Sequence, residues 1–191
     1  MKLVFATHNL NKLKEVQELL PDSIELLSLS DIGCHEDIAE TETTIEGNAQ
    51  LKANYVMSNY GYACFADDTG LEVTALDGAP GVYSARYAGP VNDASANMAK
   101  LLHNLNGVED RSAQFKTVIS LSMASEVKLF TGICEGQILS EKKGEQGFGY
   151  DPIFLPTGYT ETFAQMNSEE KGKISHRGIA IRALVAYLEH V

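Results

Sequence analysis

Two adjacent carboxylates, Asp67 and Asp68, follow the apolar run Tyr62 to Ala66 and precede Thr69 and Gly70. A carboxylate pair at the end of a strand is costly to desolvate unless a cation or hydrogen-bond donors neutralise it. A hard divalent cation such as Mg2+ suits that role, because it takes one or two carboxylates together with substrate phosphates and water. Successive strand residues point to opposite faces, so one Asp can face a site while the other is bonded elsewhere. Glu40, in the acidic stretch from Asp31 to Thr43, could supply a second ligand. The plainer alternative is a turn in which Asp67 caps the backbone.

Three further segments carry groups suited to an anionic ligand. Thr7-His8-Asn9-Leu10-Asn11-Lys12 lies between a strand-like and a helix-like run. A helix start there presents unpaired N–H groups and partial positive charge, and Lys12 adds a full charge. The glycine-rich phosphate loop ending in Gly-Lys-Ser/Thr is absent, so a P-loop NTPase is not supported. A capped helix with a solvated lysine would look the same. Gly147-Phe148-Gly149-Tyr150-Asp151-Pro152 could stack an aromatic ring on a flat base, with Asp151 reading its edge, or could be a simple hairpin turn. Glu169 to Gly178 gathers Lys171, Lys173, His176 and Arg177, a local reversal of charge suited to phosphate or a base carbonyl. It could also be a solvated capping region. Gly78 to Gly89 is rich in glycine and aromatics and could carry Arg86 toward an anion.

These segments must be held by regular elements. Lys2–Ala6 reads as a strand, and Leu13, Val16, Leu19 and Leu20 mark a helix that ends before Pro21. Ile24–Leu29 reads as a second strand, and Thr44 caps a helix to about Asn59. Tyr62–Ala66 is a strand that stops at the Asp pair, and Leu71–Leu76 is another. Asn92–Leu105 is helical. Ala113–Ala124 and Val127–Leu139 pair as a hairpin turning near Ser125-Glu126. A short strand lies around Ile153–Leu155, and Ser175–Leu188 is a last helix. Alternating strands and helices plus the hairpin predict an α/β fold with a mixed sheet.

Composition narrows the partners. The chain has 191 residues, 44% hydrophobic and 21% charged, which fits one soluble domain spanning 1–191. Fifteen Lys and Arg against 26 Asp and Glu give a net charge of −11, which argues against nucleic acid and anionic membrane as partners. No run approaches the ~20 apolar residues of a transmembrane helix. Cys34, Cys64 and Cys134 lack metal-ligand spacing and read as reduced thiols. With no leader visible before the first strand, the expected location is the cytoplasm.

The strings ATHNLNKLKEV, ADDTGLEVTALDGAPGVYSARYAG, GFGYDPIF and SEEKGKISHRG occur in this order along nearly the whole chain. Together they closely resemble the inosine/xanthosine triphosphate pyrophosphatase family. The resemblance implies Mg2+-dependent hydrolysis of ITP, dITP and XTP to the monophosphate and pyrophosphate. It also implies a homodimer and an elongated, two-lobed α/β fold around a long central mixed sheet with flanking helices. By the same resemblance Asp68 is the general base and a metal ligand, and Glu40 the second metal ligand. Thr7, His8, Asn9, Leu10, Asn11 and Lys12 form the triphosphate-binding loop. Thr69, Phe148, Gly149, Tyr150, Asp151, Lys171, His176 and Arg177 contact the nucleotide.

The chain departs from the family pattern in four places. Thr69 stands where Ser is usual, and Thr41-Glu42 stands for Thr-Gly. Glu46-Gly47-Asn48-Ala49 stands for Glu-Glu-Asn-Ala, and His8 occupies a position often held by a small residue. Rival readings fit less well. A pyrophosphatase of the related septum-inhibitor-like family, acting on modified pyrimidine triphosphates, has different signature loops. A nucleotide sensor without turnover would leave Asp68 and the metal ligands without a task.

Overall fold

In the computed structural model, which describes residues 1–124 and 126–190, the first apolar run becomes strand β1, Lys2–Phe5, with its last three residues buried. Helix α1, Leu10–Leu19, follows, capped by Asn9. Strand β2, Glu25–Leu27, pairs parallel to β1 and gives way to a 3-10 turn at Ser30–Ile32, so it is shorter than the predicted Ile24–Leu29. Helix α2, Ile45–Tyr60, is capped by Thr44, whose hydroxyl accepts from the Gly47 amide. It ends where Gly61 takes a left-handed conformation.

Strand β3, Cys64–Val73, runs unbroken through Asp67 and Asp68, against the expectation of two strands separated at the Asp pair. Each carboxylate has cations or donors beside it, so the strand need not turn to hydrate them. A two-residue strand β4, Pro80–Gly81, pairs antiparallel with β3. Helix α3, Ala94–Asn104, is capped by Asp93. Strands β5, Ser112–Met123, and β6, Glu126–Ile138, are neighbours in the sheet; Ser125, at the expected hairpin turn, lies outside the described residues. Strand β7, Phe154–Pro156, pairs antiparallel with β6. The sheet order is β2-β1-β3-β5-β6-β7, with β4 on β3. Parallel and antiparallel pairs both occur, as the α/β reading with a mixed sheet expects.

The predicted final helix is present as α5, and a further short helix that the sequence reading lacks precedes it. Helix α4, Ser168–Ile174, precedes α5, His176–Leu188, and Ser175 breaks the path with an extended conformation. Asn167 and Glu170 form a reciprocal capping box, which starts a separate helix before the apolar pattern of α5 begins.

The chain divides into two compact units: Met1–Asp68 with Thr117–Gly132 and Arg177–Val191, and Thr69–Lys116 with Ile133–His176. In the first unit β1 and β3 are buried on both faces. Leu3, Phe5 and Phe65 meet Val16 of α1 and Leu184 of α5. Val4, Ala6, Cys64 and Ala66 meet Ala53 and Val56 of α2. Parallel strands covered on both sides read as continuous apolar runs, which is why KLVFA and YACFA show no alternation. In the second unit Leu71, Val73, Met98, Leu101, Leu105, Phe115, Phe154 and Phe163 form one core. Among the described residues, no helix is long and apolar enough to cross a membrane.

Candidate functional site

The first unit gathers the carboxylates. Asp67 is buried, and its two oxygens are divided between cations: Lys12 Nζ donates to Oδ1 at 2.8 Å, while Arg177 Nε and Nη2 donate to Oδ2 at 3.1 and 3.0 Å. Arg177, only 2% exposed, also donates through Nη1 to Glu15 of α1 at 2.5 Å. Burial alone would push the Asp67 carboxyl up, but Lys12 and Arg177 outweigh it and hold the group well below the usual carboxylate range. Asp67 is therefore a permanent anion locking α1, β3 and the start of α5 together.

Asp68, on the opposite face of β3, has a different environment. Asn48 Nδ2 of α2 donates to Oδ2 at 3.3 Å, and Lys52 Nζ lies 4.0 Å from Oδ1. Lys52 also pairs with Glu40 at 2.5 Å, so one ammonium sits against both carboxylates proposed as metal ligands by the family resemblance. Burial pushes the Asp68 carboxyl up to about 6; Lys52 opposes this and Glu40 adds to it. Burial pulls Lys52 down, but Glu40 and Asp68 carry it above its ordinary value. Asp68 is thus a carboxylate at neutral pH with unusual proton affinity, which is the property a general base needs.

Sequence reasoning passed over Lys52 and gave Asn48 no role in the site. Asn48 and Lys52 are four residues apart in α2 and so share a face, a spacing visible in the sequence. Asp67 was noted only as the spare member of the pair, and its partners lie 55 and 110 residues away.

The predicted anion loop also lies in the first unit. Asn9 Oδ1 accepts from the Asn11 and Lys12 amides at 3.0 and 3.2 Å, and Thr7 Oγ1 accepts from the Asn9 amide at 3.1 Å. Leu10 opens α1 and is 79% exposed. His8 is exposed, and its Nε2 lies 3.1 Å from the Glu36 carbonyl oxygen. A carbonyl can only accept, so the proton of this contact sits on Nε2.

The second unit holds the remaining residues. Thr69 follows Asp68 in β3 and is half-buried. Lys171 of α4 pairs with Asp151 at 2.7 Å, both side chains being buried, and the same Asp151 oxygen accepts from the Phe148 amide at 2.9 Å. The Lys171 ammonium stands 5.1 Å from the centre of the Phe148 ring and 5.5 Å from that of Phe163. Tyr150 donates its hydroxyl to the Ser84 carbonyl at 2.8 Å, and His176 stacks on Phe115 with centroids 4.5 Å apart. Gly147, at φ +71°, is obligatory here, because a Cβ would lie 2.0 Å from Asp151 Oδ2. The second unit therefore brings Phe148, Tyr150, Asp151, Lys171 and His176 into one connected group, whereas the Arg177 guanidinium is committed to Asp67 and Glu15 in the first.

The chain is an α/β frame with a paired aspartate on β3 and a capped start of α1 in one unit, and a buried Lys171–Asp151 pair in the other. Residues 3–187 match the model of the Ham1 family, and the chain belongs to that family. A dITP/XTP pyrophosphatase of Christiangramia forsetii is 63% identical over 188 residues, covering 98% of this chain and 99% of that protein. A dITP/XTP pyrophosphatase of Flavobacterium psychrophilum is 61% identical, covering 100% of both chains. The solved Ham1 protein of Staphylococcus aureus superimposes with a TM-score of 0.90 at 43% identity, over 100% of this chain and 99% of that one.

Proposed function

We propose that this chain is a Mg2+-dependent pyrophosphohydrolase converting ITP, dITP and XTP to the nucleoside monophosphate and pyrophosphate. The observation that carries this is the end-to-end similarity to dITP/XTP pyrophosphatases. The environment of Asp68 supports it locally.

The donor set fits the metal. Glu40 and Asp68 offer only hard oxygen ligands, and both already lie against one cationic group, Lys52. Among the described residues, no cluster of three or more His, Cys, Asp or Glu is placed to hold an ion, and the ligands assigned here are the two carboxylates. Mg2+ is commonly bound in that way, with substrate phosphates and water completing its shell. When bound, it supplies Lewis-acid stabilisation of charge on the phosphate oxygens. Asp68 accepts a proton from the attacking water as the new bond to the α-phosphorus forms and the bond to the bridging oxygen breaks. Pyrophosphate leaves, and atoms balance as triphosphate plus water. Lys12 and the Thr7–Asn11 backbone are assigned to the phosphates.

The base is assigned to the second unit's group. Phe148 offers a ring for stacking, and Lys171, His176 and backbone N–H groups offer donors. Hypoxanthine and xanthine carry a carbonyl at the six-position where adenine carries an amino group. A donor left facing that amino group costs about 1–3 kcal/mol, which lowers kcat/KM for ATP by roughly 10- to 100-fold. From the resemblance we also infer a homodimer in the cytoplasm.

A nucleotide panel with and without Mg2+ tests the reading, with monophosphate, pyrophosphate and orthophosphate quantified. Equimolar monophosphate and pyrophosphate from ITP, dITP and XTP, only with the metal, is expected. Stepwise orthophosphate release overturns the reaction assigned, and equal kcat/KM for ITP and ATP overturns the base reading.

A further inference from the structure

Glu40 sits in a segment without regular secondary structure, from Gly33 to the cap of α2. Such a segment cannot by itself hold a carboxylate to the tolerance that metal binding demands, since each unconstrained residue between Glu40 and the nearest strand or helix adds backbone freedom. Four residues before Glu40, the chain is gripped. Glu36 Oε1 accepts from two tyrosine hydroxyls of α2, Tyr55 at 2.8 Å and Tyr60 at 2.6 Å. The other oxygen, Oε2, accepts from the His35 amide at 3.1 Å, which fixes the rotamer of the carboxylate against its own backbone. The Glu36 carbonyl accepts from His8, tying the same residue to the Thr7–Lys12 loop. Beyond Glu40 the chain is held again, where the Glu42 amide donates to Asn48 Oδ1 at 3.0 Å.

Glu36 lies outside the four strings that carry the resemblance, and its carboxylate accepts from Tyr55, Tyr60 and the His35 amide, none of them assigned to substrate or metal. Two tyrosines and a histidine nevertheless converge on it from two different elements. The two tyrosine hydroxyls reach neither the helix start nor the general base, and His8 joins the Thr7–Lys12 loop to the same residue, so together these contacts fix the approach of the chain to Glu40. We propose that Glu36, Tyr55, Tyr60 and His8 are positioning residues that clamp the acidic segment and set the placement of Glu40 for the metal. This rests on the reading of Glu40 as a metal ligand. Partners behind a ligand typically alter metal affinity or activity by about 10- to 100-fold when removed.

The test compares Tyr55→Phe/Tyr60→Phe, Glu36→Gln and Glu40→Gln with the unaltered enzyme. Two quantities are measured: the half-saturating Mg2+ concentration for pyrophosphate release from ITP, and amide exchange across residues 33–44 of the substrate-free protein. The double tyrosine variant should need about tenfold more Mg2+ or above, retain its kcat once Mg2+ saturates, and exchange faster at 33–44 with α2 unchanged. Glu36→Gln keeps an acceptor oxygen and should recover part of both effects. An unchanged Mg2+ requirement, or unchanged exchange at 33–44, overturns the clamp. Glu40→Gln separates the two layers. If it impairs the Mg2+ response while the tyrosine variant does not, the clamp falls and the ligand reading stands; if Glu40→Gln responds normally, the ligand reading falls and the clamp's role with it.

Discussion

Asp67 and Asp68 are neighbours in one strand with opposite proton affinities, and the difference comes from what each faces. Asp68 ionises near pH 6, so the fraction able to accept a proton falls as pH drops. At subsaturating Mg2+ the kcat/KM for ITP should fall as pH drops toward that value, because proton and metal compete for the carboxylate, and Asp68→Asn should lose on the order of 10²–10⁴-fold in kcat at pH 7.5, a deficit that narrows as pH falls. The same residue carries a stability cost. Its native pKa lies above the ordinary 3.8, so the folded state holds the proton more tightly than the unfolded chain. Ionisation therefore costs nothing below about pH 4 and on the order of 3 kcal/mol above about pH 6. Asp68→Asn should melt above the unaltered protein at pH 7.5, and that gain should vanish near pH 4.

Asp67 has the reverse sign. Its depressed pKa contributes stability that is fully present above the ordinary carboxylate value and is lost as pH falls from there down through the lower native value. Asp67→Asn removes the carboxylate from between Lys12 and Arg177, leaving Arg177 its pair with Glu15, and should cost about 3–5 kcal/mol. At roughly 2–4 °C per kcal/mol for a chain of this size, differential scanning calorimetry would register the loss clearly.

At the scale of elements, two of the departures from the family pattern lie against each other. A Cβ placed on Gly47 would lie 2.8 Å from Glu42 Cβ and 3.0 Å from its Cγ. Thr44 Oγ1 would lie 2.9 Å from the same added Cβ, so Gly47 leaves room for both the Glu42 side chain and the cap. Gly47→Ala alone should destabilise by about 1–3 kcal/mol through overpacking. In a Glu42→Gly background the helix preference for Ala, worth about 1 kcal/mol over Gly, should offset much of that cost. A double-mutant cycle by urea denaturation checks it; additive effects would mean that the two positions do not meet.

The same scale shows what was readable. Helices α1 and α3 were plain from Leu13, Val16, Met98 and Leu101 at helical spacing. The unbroken course of β3 was not, because paired aspartates read as a turn until Lys12, Arg177, Asn48 and Lys52 are seen beside them. Helix α4 hid behind its polar sequence SEEKGK, although Asn167 and Glu170 already had capping-box spacing. Of the site, the Asp pair, Lys171 and Asp151 were legible as types, but not that Lys171 pairs with Asp151 or that Arg177 serves Asp67 and Glu15. Those pairings span from 20 to 162 residues, and local pattern carries no information at that range.

For the whole molecule, the three thiols report on integrity. Cys34, Cys64 and Cys134 are free and buried, and burial pushes the Cys134 thiol up to about 11. A thiolate is the reactive form, so the folded protein should resist a thiol-specific disulfide reagent at pH 8 and titrate three thiols once denatured. Fast reaction of even one thiol in the folded protein would mean that one of the cores opens readily.

Lys52, held on a helix between Glu40 and Asp68, is a counterion that the polypeptide brings with it. Small metalloproteins whose ligands repel one another often cannot fold until the ion arrives. Here the tethered ammonium quiets that repulsion beforehand, so the native state can be assembled in a metal-poor moment of synthesis. On the proposed reading, a divalent ion would then be needed for turnover and not for folding, and the metal-free protein should keep its melting temperature in chelator.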